Sequence, residues 1–346
     1  MSDNIRVGLI GYGYASKTFH APLIAGTPGM ALAAVSSSDA AKVHADWPSV
    51  PVVSEPKHLF NDPNIDLIVI PTPNDTHFPL AKAALEAGKH VVVDKPFTVT
   101  LSQARELDAL AKSLGRLLSV FHNRRWDSDF LTVKRILSEG TLGEILFFES
   151  HFDRFRPQVR NRWREQAGPG SGIWYDLAPH LLDQAVNLFG LPVSMTVDLA
   201  QLRPGAQTTD YFHAVLSYPQ RRIVLHGTMV AAAESARYII HGTRGSYVKF
   251  GLDPQEDRLK NGERLPQEDW GYDMRDGVVT RVEGEELVEE TLLTIPGSYP
   301  AYYAAIRDAL NGTGENPVPA SQAIQIMELI ELGIESAKHR ATLCLA

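Results

Sequence analysis

The chain has 346 residues, of which 44% are hydrophobic and 21% are charged, and its formal net charge is −8. This is the composition of a folded globular protein long enough for two domains, and the acidic balance argues against a nucleic-acid-binding surface. The single cysteine, Cys344, excludes a disulfide framework and a cysteine-based metal site, which fits a reducing cytosol. The N-terminus lacks the apolar stretch of a signal peptide and no run is long enough to span a bilayer, so we expect a cytoplasmic protein without a membrane partner.

A short apolar run at the start of the chain leads into a glycine-rich turn. Residues 5–10 are β-prone and predict a buried parallel strand, and Gly11-x-Gly13-x-x-Ser16 follows at once. The first glycine permits the tight turn, the second lets the backbone approach a pyrophosphate, and a small third residue lets the next helix pack on the strand. Backbone N–H groups at the helix start can then hold phosphate. The predicted pyrophosphate-binding residues are Gly11, Gly13, Tyr14, Ala15 and Ser16.

Strands and helices then alternate. Further β-prone runs, separated by helical patterns, lie at 31–35, 67–70, 90–93 and 117–120. This alternation predicts an α/β fold that begins with a Rossmann domain, residues 1–122, built on a doubly wound parallel sheet. Ligands of such a sheet bind beyond the carboxyl ends of its strands. By that position alone, the further cofactor candidates are Ser36, Ser37, Thr72, Asn74, Asp94, Lys95 and Asn123.

The end of the second strand bears on the choice of cofactor. An NAD site usually places a carboxylate there to accept hydrogen bonds from the ribose 2′-OH, whereas this chain has serines at 36–38 and Lys42 one turn later. Hydroxyl donors and a lysine suit a 2′-phosphate, so the sequence favours NADP over NAD. Two alternatives stay open: Ser37 or Ser38 caps the next helix, and Asp39 supplies the carboxylate for NAD.

The alternation stops after Asp127, and residues 123–346 are predicted to form a C-terminal α+β domain. Successive β-prone runs separated by Pro and Gly indicate an open, mostly antiparallel sheet. We expect surface loops over residues 254–284, which are charged and Gly-rich, and two closing helices at about 301–311 and 321–340. Five arginines, unusual in so acidic a protein, precede these strands at Arg154, Arg156, Arg160, Arg162 and Arg164.

A possible acid/base group lies in the second domain. Asp176, His180 and Asp183 are spaced i, i+4 and i+7, so one helix would place them on one stripe. An imidazole between carboxylates can transfer protons, although such a stripe is also typical of a solvated helix face. No metal site is predicted, because the other histidines considered, His58, His77 and His90, lack ligand spacing.

Taken together, the motifs are those of a known family. They are Gly11-x-Gly13, Pro71-Thr72-Pro73-Asn74 with His77, Asp94-Lys95-Pro96, and Gly172-x3-Asp176-x3-His180-x2-Asp183. The chain resembles the Gfo/Idh/MocA family of oxidoreductases over nearly its whole length, and within it most closely the NADP-dependent scyllo-inositol dehydrogenase type. The family usually has Glu where this chain has Asp94.

The resemblance implies roles for several residues. Lys95 would lie beside the nicotinamide and the reacting oxygen, where an ammonium group can stabilise a developing alkoxide. His77, Trp163 and Arg164 would contact the cofactor, and Asp176 and His180 would contact the substrate. Additional expected pocket residues are Arg124, Asp153 and Tyr299. The open sheet face would form a homodimer or homotetramer interface.

The expected reaction is hydride transfer between NADP, or alternatively NAD, and a secondary alcohol or ketone of a polyol, inositol or sugar. Lys95, His180 and Asp176 are the predicted catalytic residues. Two other functions occur on this fold and stay open: a nicotinamide-dependent glycosidase that works by redox-neutral elimination, and a non-catalytic regulator that senses the cofactor. Retention of both Lys95 and His180 argues against the regulator, because sensing alone needs neither.

Overall fold

The computed structural model describes residues 4–345. This part of the chain divides into two compact units. The first contains the chain up to Trp126 together with Pro254–Trp270 and Ser298–Ile324. The sequence boundary at 122 assigns those two later segments to the second domain, whereas in the structure they pack with the first.

The first unit is built on a six-stranded sheet in which every strand pair is parallel. The strands are β1 (Ile5–Ile10), β2 (Met30–Ser36), β3 (Val52–Val53), β4 (Leu67–Ile70), β5 (His90–Asp94) and β6 (Leu118–Phe121). Their order is β3-β2-β1-β4-β5-β6. Strands β2 and β3 are added on one side of β1 and strands β4 to β6 on the other, and folds of this kind bind dinucleotides at the point between β1 and β4 where the strand order reverses. The predicted doubly wound parallel sheet is confirmed.

The connections of this sheet are mostly helical. A turn of π-helix at Ser16–His20 continues into α1 (Ala21–Ala25), and the later helices are α2 (Ala40–Asp46), α3 (Pro56–Phe60), α4 (Asn74–Glu86) and α5 (Leu101–Ser113). Local sequence fixes the start of α5, where the Thr100 hydroxyl accepts the Gln103 N–H at 3.3 Å and the Gln103 side chain accepts the Thr100 N–H at 3.4 Å. Such a capping box stabilises a helix by about 1 kcal/mol.

The later segments of the first unit are anchored by one buried amide. Gln255 begins α9 (Gln255–Lys260) and is 0% exposed. Its Oε1 accepts hydrogen bonds from the Trp270 indole at 2.8 Å and the Tyr299 N–H at 2.6 Å, and its Nε2 donates to the Trp126 carbonyl at 3.0 Å. The expectation of surface loops over 254–284 is therefore wrong for this segment, in which many exposed charges surround the buried residues Gln255, Leu259 and Trp270.

The remaining short elements of this unit include a 3₁₀ turn at Asn123–Trp126 and α10 (Pro300–Leu310). Within residues 4–345, no helix is both long and apolar enough to cross a membrane.

The second unit is built on a nine-stranded sheet of order β14-β13-β12-β11-β7-β10-β9-β8-β15. Its strands are β7 (Ile145–Asp153), β8 (Ser194–Ala200), β9 (Tyr211–Ser217), β10 (Arg222–Thr228), β11 (Ala236–Gly242), β12 (Gly245–Phe250), β13 (Gly277–Glu283), β14 (Glu286–Leu292) and β15 (Leu343–Cys344). Among these strands only the β7–β10 pair is parallel, so the predicted mostly antiparallel sheet is confirmed.

Helices contribute the rest of the second core. They are α6 (Ser128–Ser138), α7 (Ile173–Asp176), α8 (Ala178–Phe189) and, from residue 325 onward, α11 (Ala320–His339). Strand β7 shows how the sheet divides its side chains: Phe148 and Phe152 are fully buried in the core, whereas Glu149, His151 and Asp153 alternate with them and lie on the opposite face.

Candidate active site

The glycine-rich turn of the first unit has the geometry that a bound pyrophosphate requires. Gly11 has φ = +79°, a conformation that favours glycine, and its N–H donates to the Ser36 carbonyl at 2.7 Å. Gly13 is different, since its φ is not left-handed and an added Cβ would meet nothing within 4 Å. Packing inside the chain does not explain a glycine there, whereas close approach of a ligand to its backbone does.

Ser16 occupies the position of the third glycine and is fully buried. Its Oγ has no hydrogen-bond partner among the described residues, so it is a polar atom that a ligand could satisfy. Ala15 and Tyr14 precede it, and the Tyr14 ring is 52% exposed. These residues fit a dinucleotide phosphate group.

The end of β2 confirms a helix cap at this turn but changes the residue that supplies it. Asp39 is the cap of α2, because its Oδ1 accepts the Lys42 N–H at 3.0 Å. Ser37 closes a local turn instead: its Oγ accepts the Asp39 N–H at 3.1 Å and donates to the Asp39 carbonyl at 3.2 Å. One carboxylate oxygen of Asp39 is thus already used by the helix, while Ser38 and Lys42 are exposed.

His77 joins the loops that follow β4 and β5. It is fully buried, with Nδ1 2.9 Å from the Pro96 carbonyl and Nε2 2.9 Å from the Thr72 carbonyl. Burial lowers the pKa of His77, and a neutral imidazole donates from one nitrogen at a time. In that state only one of the two contacts is a hydrogen bond, and the ring lies between the two loops. The other predicted residues there, Asn74 and Asn123, are also buried, at the starts of α4 and the 3₁₀ turn.

Asp94 lies between Lys95 and the buried pair His20 and Tyr303, which the sequence did not reveal. Its Oδ1 accepts the Lys95 N–H at 2.7 Å, and its Oδ2 is 3.7 Å from His20 Nε2. The other ring nitrogen of His20 is 2.6 Å from the Tyr303 hydroxyl. Burial opposes ionisation of Asp94, but His20, Lys95 and His77 outweigh it and lower the pKa of this carboxyl group. The half-buried Lys95 thus follows a carboxylate that is anionic at neutral pH.

A second cluster brings three predicted site residues together around Glu256. Arg124 Nη2 donates to Glu256 Oε2 at 2.5 Å, and the Tyr14 hydroxyl donates to Oε1 at 3.0 Å. Arg124 Nη1 also donates to the Tyr299 hydroxyl at 3.4 Å. Burial, followed by the Glu256 charge, raises the pKa of Tyr14 to about 12. The predicted cofactor residue Tyr14 and the predicted pocket residue Arg124 therefore share Glu256, which lies in the segment expected to be a surface loop, and Arg124 connects this cluster to Tyr299.

The predicted acid/base residues of the second unit lie on two helices rather than one. Asp176 ends α7 and His180 lies in the first turn of α8, with a break at Leu177. Pro179 contributes to the break, because it has no N–H to continue the helical hydrogen bonds. His180 and Asp183 are 6% and 2% exposed, so the alternative of a solvated helix face is wrong for both.

Arg164 approaches this segment from the arginine-rich loop. Its Nε is 3.6 Å from Asp176 Oδ1, and its carbonyl accepts the Gly172 N–H at 2.9 Å. Gly172 has φ = +84° and an added Cβ would lie 3.0 Å from the Thr209 backbone, so this close approach requires glycine. The predicted cofactor residue Arg164 thus contacts the predicted catalytic residue Asp176. The Trp163 side chain lies outside the described residues.

Much of the arginine cluster is organised by protein carboxylates. Glu165 accepts the Arg162 side chain at 2.7 Å and the Arg160 N–H at 3.0 Å, and it is 3.1 Å from the buried Arg203. Arg203 also pairs with Asp210 at 2.9 Å. The sequence suggested a basic loop, but it did not indicate that Arg203 and Glu165 would fix its shape.

A buried ionic network supports the helix that carries His180. Arg237 is 2% exposed; its Nε donates to Asp129 Oδ2 at 3.0 Å and its Nη2 to Gln184 Oε1 at 2.9 Å. The guanidinium lies 4.4 Å from the centre of the Phe152 ring, and that ring is 6.2 Å from the His180 ring. No sequence motif indicated this role of Arg237.

The structure does not bring Asp153 together with His180. Phe152 contacts His180 from the core side of β7, and Asp153, the next residue, lies on the other face, where its Oδ2 is 3.0 Å from His151 Nδ1.

Two family models match almost the entire chain. The model described as "Oxidoreductase family, NAD-binding Rossmann fold" matches residues 5–122, and the one described as "Oxidoreductase family, C-terminal alpha/beta domain" matches residues 134–345. The chain belongs to the Gfo/Idh/MocA family of oxidoreductases.

Members of this family resemble the chain at several levels of identity. It is 89% identical over all 346 residues to the uncharacterized oxidoreductase YdgJ of Escherichia coli, with 100% of both chains covered. It is 38% identical to IolW of Bacillus subtilis, a scyllo-inositol 2-dehydrogenase (NADP(+)), over 99% of this chain and 96% of that one. The solved structure of YPO2259 from Yersinia pestis has a TM-score of 0.97 and 70% identity, with coverage of 100% and 98%.

Proposed function

We propose that this Gfo/Idh/MocA protein is an NAD(P)-dependent dehydrogenase that acts on a secondary alcohol or ketone of a polyol, inositol or sugar. The observation that carries the proposal is Lys95. It follows β5 directly, at the carboxyl edge of an NAD-binding Rossmann sheet, and its N–H is held at 2.7 Å by the anionic Asp94. That edge is where such sheets present catalytic groups to a ligand.

In this proposal some of the cofactor residues bind the pyrophosphate and others position the loops around the cofactor. The Gly11 turn and the bare Gly13 backbone would hold the pyrophosphate, with the buried Ser16 hydroxyl nearby. His77 would keep the Thr72 and Pro96 loops apart by the width of its ring. When bound, the nicotinamide supplies the hydride donor or acceptor.

Lys95 and His180 serve the proton and charge changes in this proposal. The Lys95 ammonium donates a hydrogen bond to the reacting oxygen and stabilises its negative charge as the C–H bond breaks. His180 takes the hydroxyl proton in oxidation and returns it in reduction. Asp176 and Asp183 accept hydrogen bonds from neighbouring substrate hydroxyls. That both residues act on one substrate rests on the family pattern.

An inositol is the first substrate to test. The 38% identical relative IolW is a scyllo-inositol 2-dehydrogenase (NADP(+)), and the two carboxylates of the Asp176–Asp183 segment suit a ring with several adjacent hydroxyls. We propose NADP as the preferred cofactor, because Asp39 already caps α2 while Ser38 and Lys42 are exposed at the end of β2.

The experiment is a screen of inositols, polyols and sugars with each cofactor, followed at the absorbance band of the reduced nicotinamide. Net reduction of NADP by a cyclic polyol is the expected result. Release of an aglycone from a glycoside without net reduction would favour a glycosidase, and cofactor binding without turnover of any substrate would favour a regulator.

We also propose a homodimer or homotetramer that uses the second sheet. Its strands expose large hydrophobic side chains in the single chain, and patches of this kind commonly mark interfaces. They include Leu146, Phe250, Val278, Val282, Leu287 and Val288. Light scattering at micromolar concentration should give two or four times the mass of one chain, and a monomer would contradict the proposal.

A further inference from the structure

Three histidines form a row on the face of the second sheet that points away from its core. Strand register pairs His226 of β10 with His151 of β7 on one side and with His213 of β9 on the other. Their ring centres are 5.1 Å and 5.6 Å apart, respectively. Two carboxylates of β7 lie on the same face, Glu149 and Asp153. Asp153 was an expected pocket residue, but none of these five residues is assigned a role in hydride transfer.

Asp153 lies between two of these histidines. Its Oδ2 is 3.0 Å from His151 Nδ1, and its Oδ1 is 3.6 Å from His226 Nε2. The Asp153 side chain is only 9% exposed, and Oδ1 is buried without a hydrogen bond of ordinary geometry among the described residues, although the Ser235 hydroxyl lies near this carboxylate. A carboxylate oxygen in that position normally has a donor or a cation beside it.

In each of His151 and His226, the ring nitrogen that faces away from Asp153 has a neighbour of its own. That neighbour decides whether the nitrogen facing Asp153 carries a proton or a lone pair. His151 Nε2 is 2.8 Å from Glu149 Oε1 and must donate to it, because a carboxylate only accepts. In neutral His151 the Nδ1 lone pair then faces Asp153 Oδ2 at 3.0 Å. At this distance the two lone pairs repel each other unless a proton or a metal cation lies between them.

His226 is arranged in the same way. Its Nδ1 lies 3.4 Å from His213 Nδ1, which can accept a hydrogen bond from it. In that tautomer the proton of His226 is on Nδ1, and the lone pair of Nε2 faces Asp153. One donor atom from each of His151, Asp153 and His226 lies within 4.8 Å of the other two. That spacing fits three ligands around one small cation.

We propose that His151 Nδ1, His226 Nε2 and an Asp153 carboxylate oxygen form a binding site for a divalent transition metal, with Zn²⁺ as the best match. Two imidazoles and one carboxylate make a donor set that zinc prefers, and solvent would complete its coordination. Glu149 would orient His151 from behind, in the carboxylate–histidine–metal arrangement common at such sites. In the single chain both histidine side chains are 16% exposed.

The ligands of the proposed site could not be recognised from the sequence, which predicted no metal. His151-x-Asp153 is a two-residue motif without predictive value, and His226 comes from another strand. Only the parallel pairing of β7 and β10 places the three ligands side by side.

The test is metal binding by the full chain after treatment with a chelator, with Co²⁺ as a spectroscopic probe and Zn²⁺ in calorimetry. We expect one equivalent per chain and the visible absorption of tetrahedral Co²⁺, which Zn²⁺ abolishes. His226→Asn and Asp153→Asn should each weaken binding by about 100-fold or more, and Glu149→Gln by about 10–100-fold. His241→Asn is the matched control, because His241 is exposed on a neighbouring strand and stacks on Phe147 instead.

Two outcomes would overturn the proposal. One is wild-type affinity no higher than that of the Asp153→Asn variant, which would mean that a proton on His151 occupies the gap. The other is unchanged binding in His226→Asn, which would place the metal elsewhere. Thermal unfolding of each metal-free variant shows whether it is folded. A bound metal should raise the melting temperature of the wild type and of His241→Asn, but not that of His226→Asn or Asp153→Asn.

Discussion

His20 and Tyr303 share a hydrogen bond of 2.6 Å although 283 residues separate them along the chain. Both side chains are fully buried in the first unit. The bond fixes α10 to the π-helical turn that follows the glycine-rich loop, and it places the other nitrogen of His20 near Asp94. π-Helical turns often occur at functional sites, and here the turn supplies the residue that links α10 to the Asp94–Lys95 segment.

Loss of that bond should destabilise the protein and also change the cofactor site. We expect Tyr303→Phe to lower the free energy of unfolding by about 1–3 kcal/mol, because a buried His20 nitrogen loses its partner. Tyr302→Phe is the matched control, since it removes a similar buried bond, to Ser119 at 2.9 Å, without touching His20. Denaturant unfolding should show a loss in both variants, whereas weaker NADP binding, measured by calorimetry, should appear only in Tyr303→Phe. Equal NADP affinity in the two variants would contradict the link through His20.

The proposed catalytic pair makes the most direct prediction. Lys95→Ala and His180→Ala should each reduce kcat by about 10²–10⁴-fold, the usual loss when a general acid/base or a charge-stabilising group is removed. Cofactor binding should persist. Lys57→Ala and His58→Ala remove exposed residues of the same types and should leave kcat unchanged. Near-normal turnover in either catalytic variant would disprove the role of that residue.

The end of β2 should decide the cofactor preference. We expect Ser36→Asp to lower the ratio of kcat/KM for NADP to that for NAD by about tenfold or more, because a carboxylate repels a 2′-phosphate and the serine donor is lost. A charge-assisted hydrogen bond is worth about 1.5–3 kcal/mol, which corresponds to this change. Ser113→Asp adds the same charge at the far end of α5 and should leave the ratio unchanged. An unchanged ratio in Ser36→Asp, or a wild type that prefers NAD, would contradict the assignment.

The acid stability of the protein should depend on Asp94. Its pKa is lowered in the folded state, so the ionised carboxylate stabilises the fold at any pH above its ordinary pKa of 3.8. That stabilisation is lost as the pH falls through the lower, folded-state pKa. We therefore expect Asp94→Asn to be less stable than the wild type at neutral pH, with a difference that shrinks below about pH 4. Chemical denaturation at several pH values measures this, and a difference that grows in acid would contradict it.

These residues also show what the sequence could reveal about this protein. Contiguous apolar runs such as Leu67–Ile70, which lies between Asp66 and Pro71, predict a parallel sheet because only full burial suits them. Gln255 and Glu256 could not be found in this way, since a short charged helix with few buried residues resembles a surface loop. The pairing of His151 with His226 depends on register between distant strands, which local pattern does not encode. Pro179, by contrast, was a visible signal for the break between Asp176 and His180.

Arg237 tests how the second core supports His180. Arg237→Ala should cost about 3–5 kcal/mol of stability, because Asp129 would stay buried without its counter-ion. The double variant Arg237→Met/Asp129→Leu should recover much of that loss, since apolar side chains of similar volume can replace a buried ion pair. The Arg237 guanidinium also packs on Phe152, which contacts His180. We therefore expect the double variant to regain stability while its kcat stays below that of the wild type. Full recovery of both properties would show that the network supports the fold alone and does not position His180.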